Sequence, residues 1–369
     1  MLNLARELHQ LGHGVRFYSY VPRSRARRFG LPDACQSPVA AAVSPLLAWQ
    51  RLAPRFRPDA REHLLHLALD RAVAARLQAC DVFIFMSGIF LEAARQAKHR
   101  FGARLWLERG SAHIDIQDRI LAAIPGAERP SPESRARELA GYELADRIVV
   151  PSHFTEDSFA PTTEHAKLFR NPYGVQLDDF PLLPQRAQGR PLRLLFVGTW
   201  SSRKGCDLLT ATVTASSDVI LTHVGGVTDL PFPGDPRFRH VGPVDQLRLA
   251  DFYARADALV LASREDGLSI VQAQALASGL PVICTDRTGG ADLAHTPALA
   301  ERILVTPPDD AAALAETIAA LSERLERGEP FTPLTDTDRR ALSWRAYGER
   351  YSAELIADLE RAKSALRAP

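Results

Sequence analysis

The sequence predicts an α/β protein built from two parallel sheets, each covered by helices, facing each other across a cleft. Three observations predict it. Short apolar runs alternate with amphipathic helical windows along the whole chain. A proline-rich break falls near the middle. The length, 369 residues, exceeds what one ordinary core accommodates. Strands that alternate with helices pair in parallel, because each crossover helix must lie on a face of the sheet.

Taken in order, Leu4, Leu8 and Leu11 share a helical face that stops at Gly12, and a strand is expected over 15–21. DVFIFM, at 81–86, is a short apolar run ending at Ser87-Gly88, with a helical window behind it. Residues 104–107 and 147–150 read as further buried strands. PLLPQRAQGRP, at 181–191, packs three prolines and a glycine into a short span and predicts a linker. A second series then begins, with apolar runs at 192–197, 219–224, 258–261, 281–285 and 302–305. The expected organisation is two Rossmann-like domains, 1–183 and 190–335. A C-terminal helix over 338–366 carries Trp344, Tyr347 and Tyr351 near one side and packs back toward the domain junction. Ligands of such folds sit in the cleft.

Composition narrows the function. The chain is 46% hydrophobic and 24% charged, with a mean hydropathy of −0.13, as in soluble globular proteins. No window approaches the roughly 18 to 20 apolar residues that span a bilayer, and MLNLARELHQLGHG carries charges where a signal peptide needs an apolar core. Cys35, Cys80, Cys206 and Cys284 lie far apart, which fits a reduced, cytoplasmic protein. A net charge of +1 gives no reason to expect nucleic acid as a partner. The first residues are more basic: Arg6, Arg16, Arg23, Arg25, Arg27, Arg28, Arg51, Arg55 and Arg57 face only Glu7 and Asp33. Two readings stay open, peripheral contact with anionic lipid headgroups at the inner membrane face or a solvated Arg-rich surface.

Three segments carry chemistry. In VGTWSSRKGCDLL (197–209) an apolar strand ends at Gly198, and a polar loop with Arg203, Lys204 and Gly205 precedes a helix. Such a strand–loop–helix aims backbone N–H groups and the positive helix end at an anion, and the two cations add charge-assisted bonds. In SREDGLSIVQAQALASGLPVICTDRTGG (263–290) a turn at Glu265-Asp266-Gly267 leads into a helix over 270–278, and a strand follows. Asp266 is expected at the cleft mouth, and Gln274 two turns into the helix. The N–H groups of Gly267, Leu268 and Ser269 are the orphan donors of that helix start. A carboxylate accepts from sugar hydroxyls, and an amide serves a ribose diol in both directions. In LWLERGSAHIDIQ (105–117) a buried strand ends at Glu108-Arg109-Gly110-Ser111, with His113 beyond it. Either His113 and Arg109 serve the site, or they tie a loop to the sheet. Ser87 ends a strand on the same edge and is expected on the acceptor side with Arg109 and Ser111.

Residues 192–293 resemble the C-terminal domain of retaining, GT-B-fold glycosyltransferases of family 4, the glycosyl transferases group 1. GTWSSRKG is similar to the family's Gly-containing loop ending in Lys-Gly. The family's spaced glutamates, followed by a small-Gly-x-Pro-Val strand and a Gly-Gly loop, align with Asp266 and Gln274 here. NPYGVQLDDF (171–180) and ELADRIVVPSHF (143–154) are similar to upstream family signatures. The resemblance implies that Arg203 and Lys204 grip a donor diphosphate. It implies that Asp266 contacts the donor sugar (with Glu265 able to stand in) and that Gln274 contacts the ribose. Gly198 and the backbone at 242–244, ending at Val244, would line the donor, and His113 would lie near the sugar. It implies transfer from a nucleotide sugar to a glycan or lipid-linked acceptor with retention, in surface polysaccharide or lipopolysaccharide synthesis. No metal or other cofactor is expected: Asp178-Asp179 belongs to the junction, and no DxD pair is placed for Mg²⁺. The family's first strand and Gly-rich loop, which precede the helix at 2–11, have no counterpart here, so the N-terminal domain is expected to lack its first strand. Two other readings follow: a non-catalytic nucleotide-sugar-binding or scaffold protein, and a sugar-nucleotide epimerase, for which His113 alone supplies too few acid–base groups.

Overall fold

The computed structural model describes residues 1–52, 58–184 and 191–367. Every strand pairing in it is parallel. The strands are β1 (Phe17–Ser19), β2 (Gln36–Pro38), β3 (Val82–Met86), β4 (Arg104–Glu108), β5 (Arg147–Val150) and β6 (Leu168–Arg170). The second series is β7 (Leu192–Val197), β8 (Val219–Val224), β9 (Phe238–His240), β10 (Ala258–Leu261), β11 (Val282–Thr285) and β12 (Ile303–Thr306). They form a β1-β2 ribbon, a four-stranded sheet in the order β3-β4-β5-β6, and a six-stranded sheet in the order β12-β11-β10-β7-β8-β9. Helices cover the sheets, so the architecture is the α/β one read from the pattern.

The six-stranded sheet has a topological switch point. From β7 the chain runs outward through β8 and β9, then returns to the other side of β7 and runs outward again through β10, β11 and β12. The loops leaving β7 and β10 therefore diverge and open a crevice at the C-terminal edge, where ligands of open α/β sheets bind. β10 and β11 are buried at every position, which is why they read as unbroken apolar runs rather than alternating ones.

Several expectations need correction. The strand expected over 15–21 is only Phe17–Ser19. Its partner is itself three residues long and ends on Pro38, which has no N–H to continue a ladder. On the side away from β4, β3 has no partner strand among the described residues. The C-terminal helix is broken. Asp336–Ala341 and Trp344–Arg367 are separate helices, because Leu342 O and Trp344 N are diverted to Val175 N (2.8 Å) and Val175 O (3.1 Å). Gly174 permits that approach, since a Cβ there would fall 2.4 Å from Ser343 O. The second helix packs Trp344, Tyr347, Tyr351 and Leu355 onto Leu4, Leu8, Trp106 and Val149 of the N-terminal half. Asp358 pins it there, accepting from Trp106 Nε1 at 3.0 Å and Arg104 Nη2 at 2.8 Å.

The basic face is dispersed. Arg6 is buried against Glu7 at 2.6 Å, Arg27 pairs with Asp33 and Arg28 with Asp245. Arg55, Arg57, the side chain of Arg51 and linker residues 185–190 lie outside the described residues. The four cysteines are free thiols. Among the described residues no helix is long and apolar enough to cross a membrane.

Candidate functional site

The loop after β7 is shaped by two glycines. Gly198 leaves the strand at φ +148°, and Gly205, at φ +67°, starts the helix Cys206–Ala215. A Cβ at Gly205 would lie 2.0 Å from Ala262 O, so the loops leaving β7 and β10 touch backbone to backbone. This contact places Arg203 and Lys204 beside Glu265 and Asp266. Arg203 Nη1 donates to Glu265 Oε2 and to its carbonyl, at 3.1 and 3.2 Å. Lys204 Nζ pairs with Asp266. The two cations expected to face a ligand are matched one for one by the acids of the next loop. The signal was legible in the alignment of RK with ED, two adjacent charges in each loop at the switch point.

Lys204 and Asp266 keep 12% and 14% of their side chains exposed, so an incoming anion can compete for Lys204. Glu265 is fully buried. It also accepts from Ala112 N and from Gln117 Nε2, each at 3.1 Å, and so acts as a clasp between the halves. Both of its carboxylate oxygens are thus engaged within the protein in this conformation.

The amide N–H groups of Gly267, Leu268 and Ser269 have no hydrogen-bond partner among the described residues. They precede the helix Ile270–Ala277, whose cap has no side-chain acceptor, and they stand as unpaired donors at the switch point, an arrangement that suits an anion. Gln274 is elsewhere. It is 1% exposed and its Oε1 accepts from the buried Tyr253 hydroxyl at 2.9 Å, which leaves it turned into the protein in this conformation. The backbone at Gly242 accepts from Gly225 N at 3.1 Å, and Val244 packs half-buried against the core, at the C-terminal edge beyond β9.

From the other half, the loop after β4 closes against this edge. A Cβ on Gly267 would fall 2.0 Å from Gly110 O and 3.0 Å from Ser111 Cα. Ser152 Oγ donates to Gly267 O at 2.6 Å, and the His153 ring and backbone bond Asp292 at 2.6 and 3.0 Å. Arg109 sits behind the loop, donating to Ala112 O (3.0 and 2.8 Å), Glu138 (2.8 Å) and Gln117 (2.9 Å). Ser87 donates to the same Glu138. Arg109 and Ser87 therefore brace the loop from behind, whereas Ser111 lies at the contact. Ser152, Gln117 and Glu138 had no motif to flag them; their roles come from the fold's bringing distant loops together.

His113 is 3% exposed and packs against Tyr142, tilted, and Phe159, edge-on, each ring 4.9 Å away. Its Nδ1 accepts from Asp115 N at 3.2 Å, which caps the helix Ile114–Ala122. Burial lowers its pKa, and because Nδ1 accepts, the neutral ring carries its proton on Nε2. Beneath the site, Glu108 is 8% exposed and Oε1 has no hydrogen-bond partner; burial drives its pKa up to about 7.

A cavity of about 510 Å³ remains between the halves. Ile120 and Arg119 line it from one side, Ser202, Arg264 and Arg287 from the other. Arg264 is held by Asp207 at 2.7 Å and by Asp309. Arg119 and Arg287 have no ion-pair partner among the described residues and are available to an anion. No group of three or more His, Cys, Asp or Glu side chains among the described residues is placed to hold a metal.

Residues 191–324 match the family model described as "Glycosyl transferases group 1". No curated protein sequence matches the chain. Among solved structures, sucrose-phosphate synthase from Thermosynechococcus elongatus is similar at a TM-score of 0.69 and 20% identity, over 98% of this chain and 92% of that one. HepE of Anabaena, in complex with UDP and glucose, is similar at 0.62 and 10% identity, over 96% and 94%. A glycosyltransferase from Rickettsia africae is similar at 0.56 and 13% identity, over 100% and 94%. The fold is that of GT-B glycosyltransferase structures.

Proposed function

We propose that the chain is a glycosyltransferase that takes a sugar from a nucleoside-diphosphate donor bound at the switch point. One observation carries the reading. Lys204, Arg203 and three free amide N–H groups at 267–269 converge where the loops after β7 and β10 diverge, within the segment matching the group 1 model. The HepE structure similar in fold is a complex with UDP and glucose, which supports a nucleotide sugar as the donor class.

In this reading the division into domains at 1–183 and 190–335, with the helix at 338–366 returning to the first, is what lets the site close. The diphosphate displaces Asp266 from Lys204 and accepts from the helix-start N–H groups, which stabilises the leaving group without a resident cofactor. Asp266, once released, accepts from sugar hydroxyls. Closure of the Gly110–Ser111 loop on Gly267 excludes water. Retention, a glycan or lipid-linked acceptor on the Ser111 side, and a place in surface polysaccharide synthesis are the finer parts of the proposal. The leaving phosphate takes the acceptor hydroxyl's proton. Titrating UDP- and GDP-sugars by calorimetry tests the reading: heat is expected for one of them, and its absence for every nucleotide sugar overturns it. Donor turnover separates this reading from the non-catalytic binding protein, for which the internally paired Arg203 and Lys204 are the favouring observation.

A further inference from the structure

A second cavity, of about 580 Å³, lies in the N-terminal half between the helices Pro58–Ala74, Leu91–Phe101 and Pro132–Leu144. Nothing in the transfer reading uses it. Four guanidinium groups line it, those of Arg71, Arg95, Arg100 and Arg137, against the carboxylates of Asp70 and Glu92.

The acids do not balance the cations. Asp70 is 2% exposed, and its oxygens accept from Glu92 N (3.0 Å), Ala93 N (2.9 Å) and Arg137 Nη2 (3.2 Å). Glu92 accepts from Gln96 Nε2 at 3.0 Å. Arg71 and Arg95 have no hydrogen-bond or ion-pair partner among the described residues, and Arg100 only lies over the Phe101 ring at 4.9 Å. Arg137 is 16% exposed and fixed at one edge. Its Nε donates to Gly88 O (2.7 Å) and its Nη2 to Ile89 O (2.6 Å), which leaves Nη1 without a partner. Like charges gathered round one cavity repel, and a bound anion removes that repulsion.

We propose that this groove binds the phosphate group of an anionic ligand. Guanidinium groups match phosphate oxygens in bidentate geometry, and Arg137, already immobilised, loses little freedom on binding. The cavity is larger than a lone phosphate needs, and Leu67, Leu91 and Ala74 give its remaining wall an apolar character. That wall suits the uncharged part of a phosphate ester. The same chemistry is offered by a soluble phosphate ester and by a phospholipid headgroup.

The test uses the full chain. Inorganic phosphate is titrated by calorimetry, and co-sedimentation is measured with phosphatidylglycerol–phosphatidylcholine vesicles against phosphatidylcholine alone. The triple variant Arg71→Gln, Arg95→Gln, Arg100→Gln is expected to lose at least about tenfold in affinity for whichever probe binds, the equivalent of about 1.4 kcal/mol. The single variant Arg95→Gln gives a smaller loss in the same direction and covers the case in which the triple variant unfolds. Phosphate binding that the variants weaken assigns a soluble ester; vesicle binding without phosphate binding, weakened in the same way, assigns a headgroup. Binding of neither probe, or binding that the variants leave intact, overturns the proposal. Arg203 and Lys204 are untouched in these variants, so a UDP titration reports separately on the donor site.

Discussion

Replacing Gly267 by alanine probes the closure of the two halves at the atom where they meet most tightly. The added Cβ lies 2.0 Å from Gly110 O, a backbone atom that cannot rotate away, and real Cβ contacts essentially never fall below 3.0 Å. The loops must therefore part by at least 3.0 − 2.0 = 1.0 Å. A shift of that size stretches the 3.1 Å bond from Ala112 N to Glu265 to about 4.1 Å, beyond hydrogen-bond range. Alanine keeps the amide N–H, so nucleotide binding to the C-terminal half is expected to change less than about threefold. On the proposed transfer, a donor held by one half and an acceptor held by the other move apart by about 1 Å, which is expected to cost on the order of 10²-fold in rate, or about 2.7 kcal/mol of barrier. The assay is steady-state sugar transfer or donor hydrolysis alongside UDP titration. Gly226→Ala, where a Cβ meets nothing within 4 Å, is the neutral control. A Gly267→Ala variant with kcat/KM within threefold of the parent refutes the assignment of this contact to the proposed catalytic conformation.

Lys204→Ala is expected to weaken UDP binding by about 1.5–3 kcal/mol, the value of a charge-assisted bond, while uridine binding changes little; equal losses on calorimetry would argue against a diphosphate contact. Glu108→Gln addresses the buried carboxyl whose pKa rises from 4.5 to about 7. A raised acid is at full stability below its unfolded value and loses it as pH rises through 7. The variant is therefore expected to be more stable than the parent at pH 8, by up to about 3 kcal/mol, and no more stable at pH 4, as read by urea unfolding. His113→Asn preserves a side-chain acceptor at the helix cap. Burial lowers the pKa of His113, so its contribution is intact above about 6.5 and lost as pH falls through the lowered value. Thermal melts of the variant should fall less steeply below that pH, with His223 and His295, shifted in the same direction, retaining the remainder. A melt profile identical to the parent's would mean that His113 is not held neutral.

Much of the fold was legible because its strands are buried on both faces. The runs at 192–197, 219–224 and 258–261 coincide with β7, β8 and β10. Strands of three residues escaped: β2, β6 and β9 are too short to carry a period, and their existence depends on a neighbour's edge. The break at 342–343 escaped for a related reason, since helical periodicity runs through it and only Val175, far away in sequence, interrupts it. In the site, residue types and loop placement were readable, because Gly205 and Gly267 mark backbone contacts that no larger residue allows. Pairing was not. Whether Arg203 faces a ligand or Glu265, and whether Gln274 faces a ribose or Tyr253, is decided by side-chain direction across two loops.

Amide hydrogen exchange with and without UDP tests the central claim most directly. Added protection is expected over 199–206 and at Gly267, Leu268 and Ser269, whose N–H groups have no partner among the described residues. Protection confined to other segments, or no change at saturating UDP, would contradict a nucleotide site at the switch point.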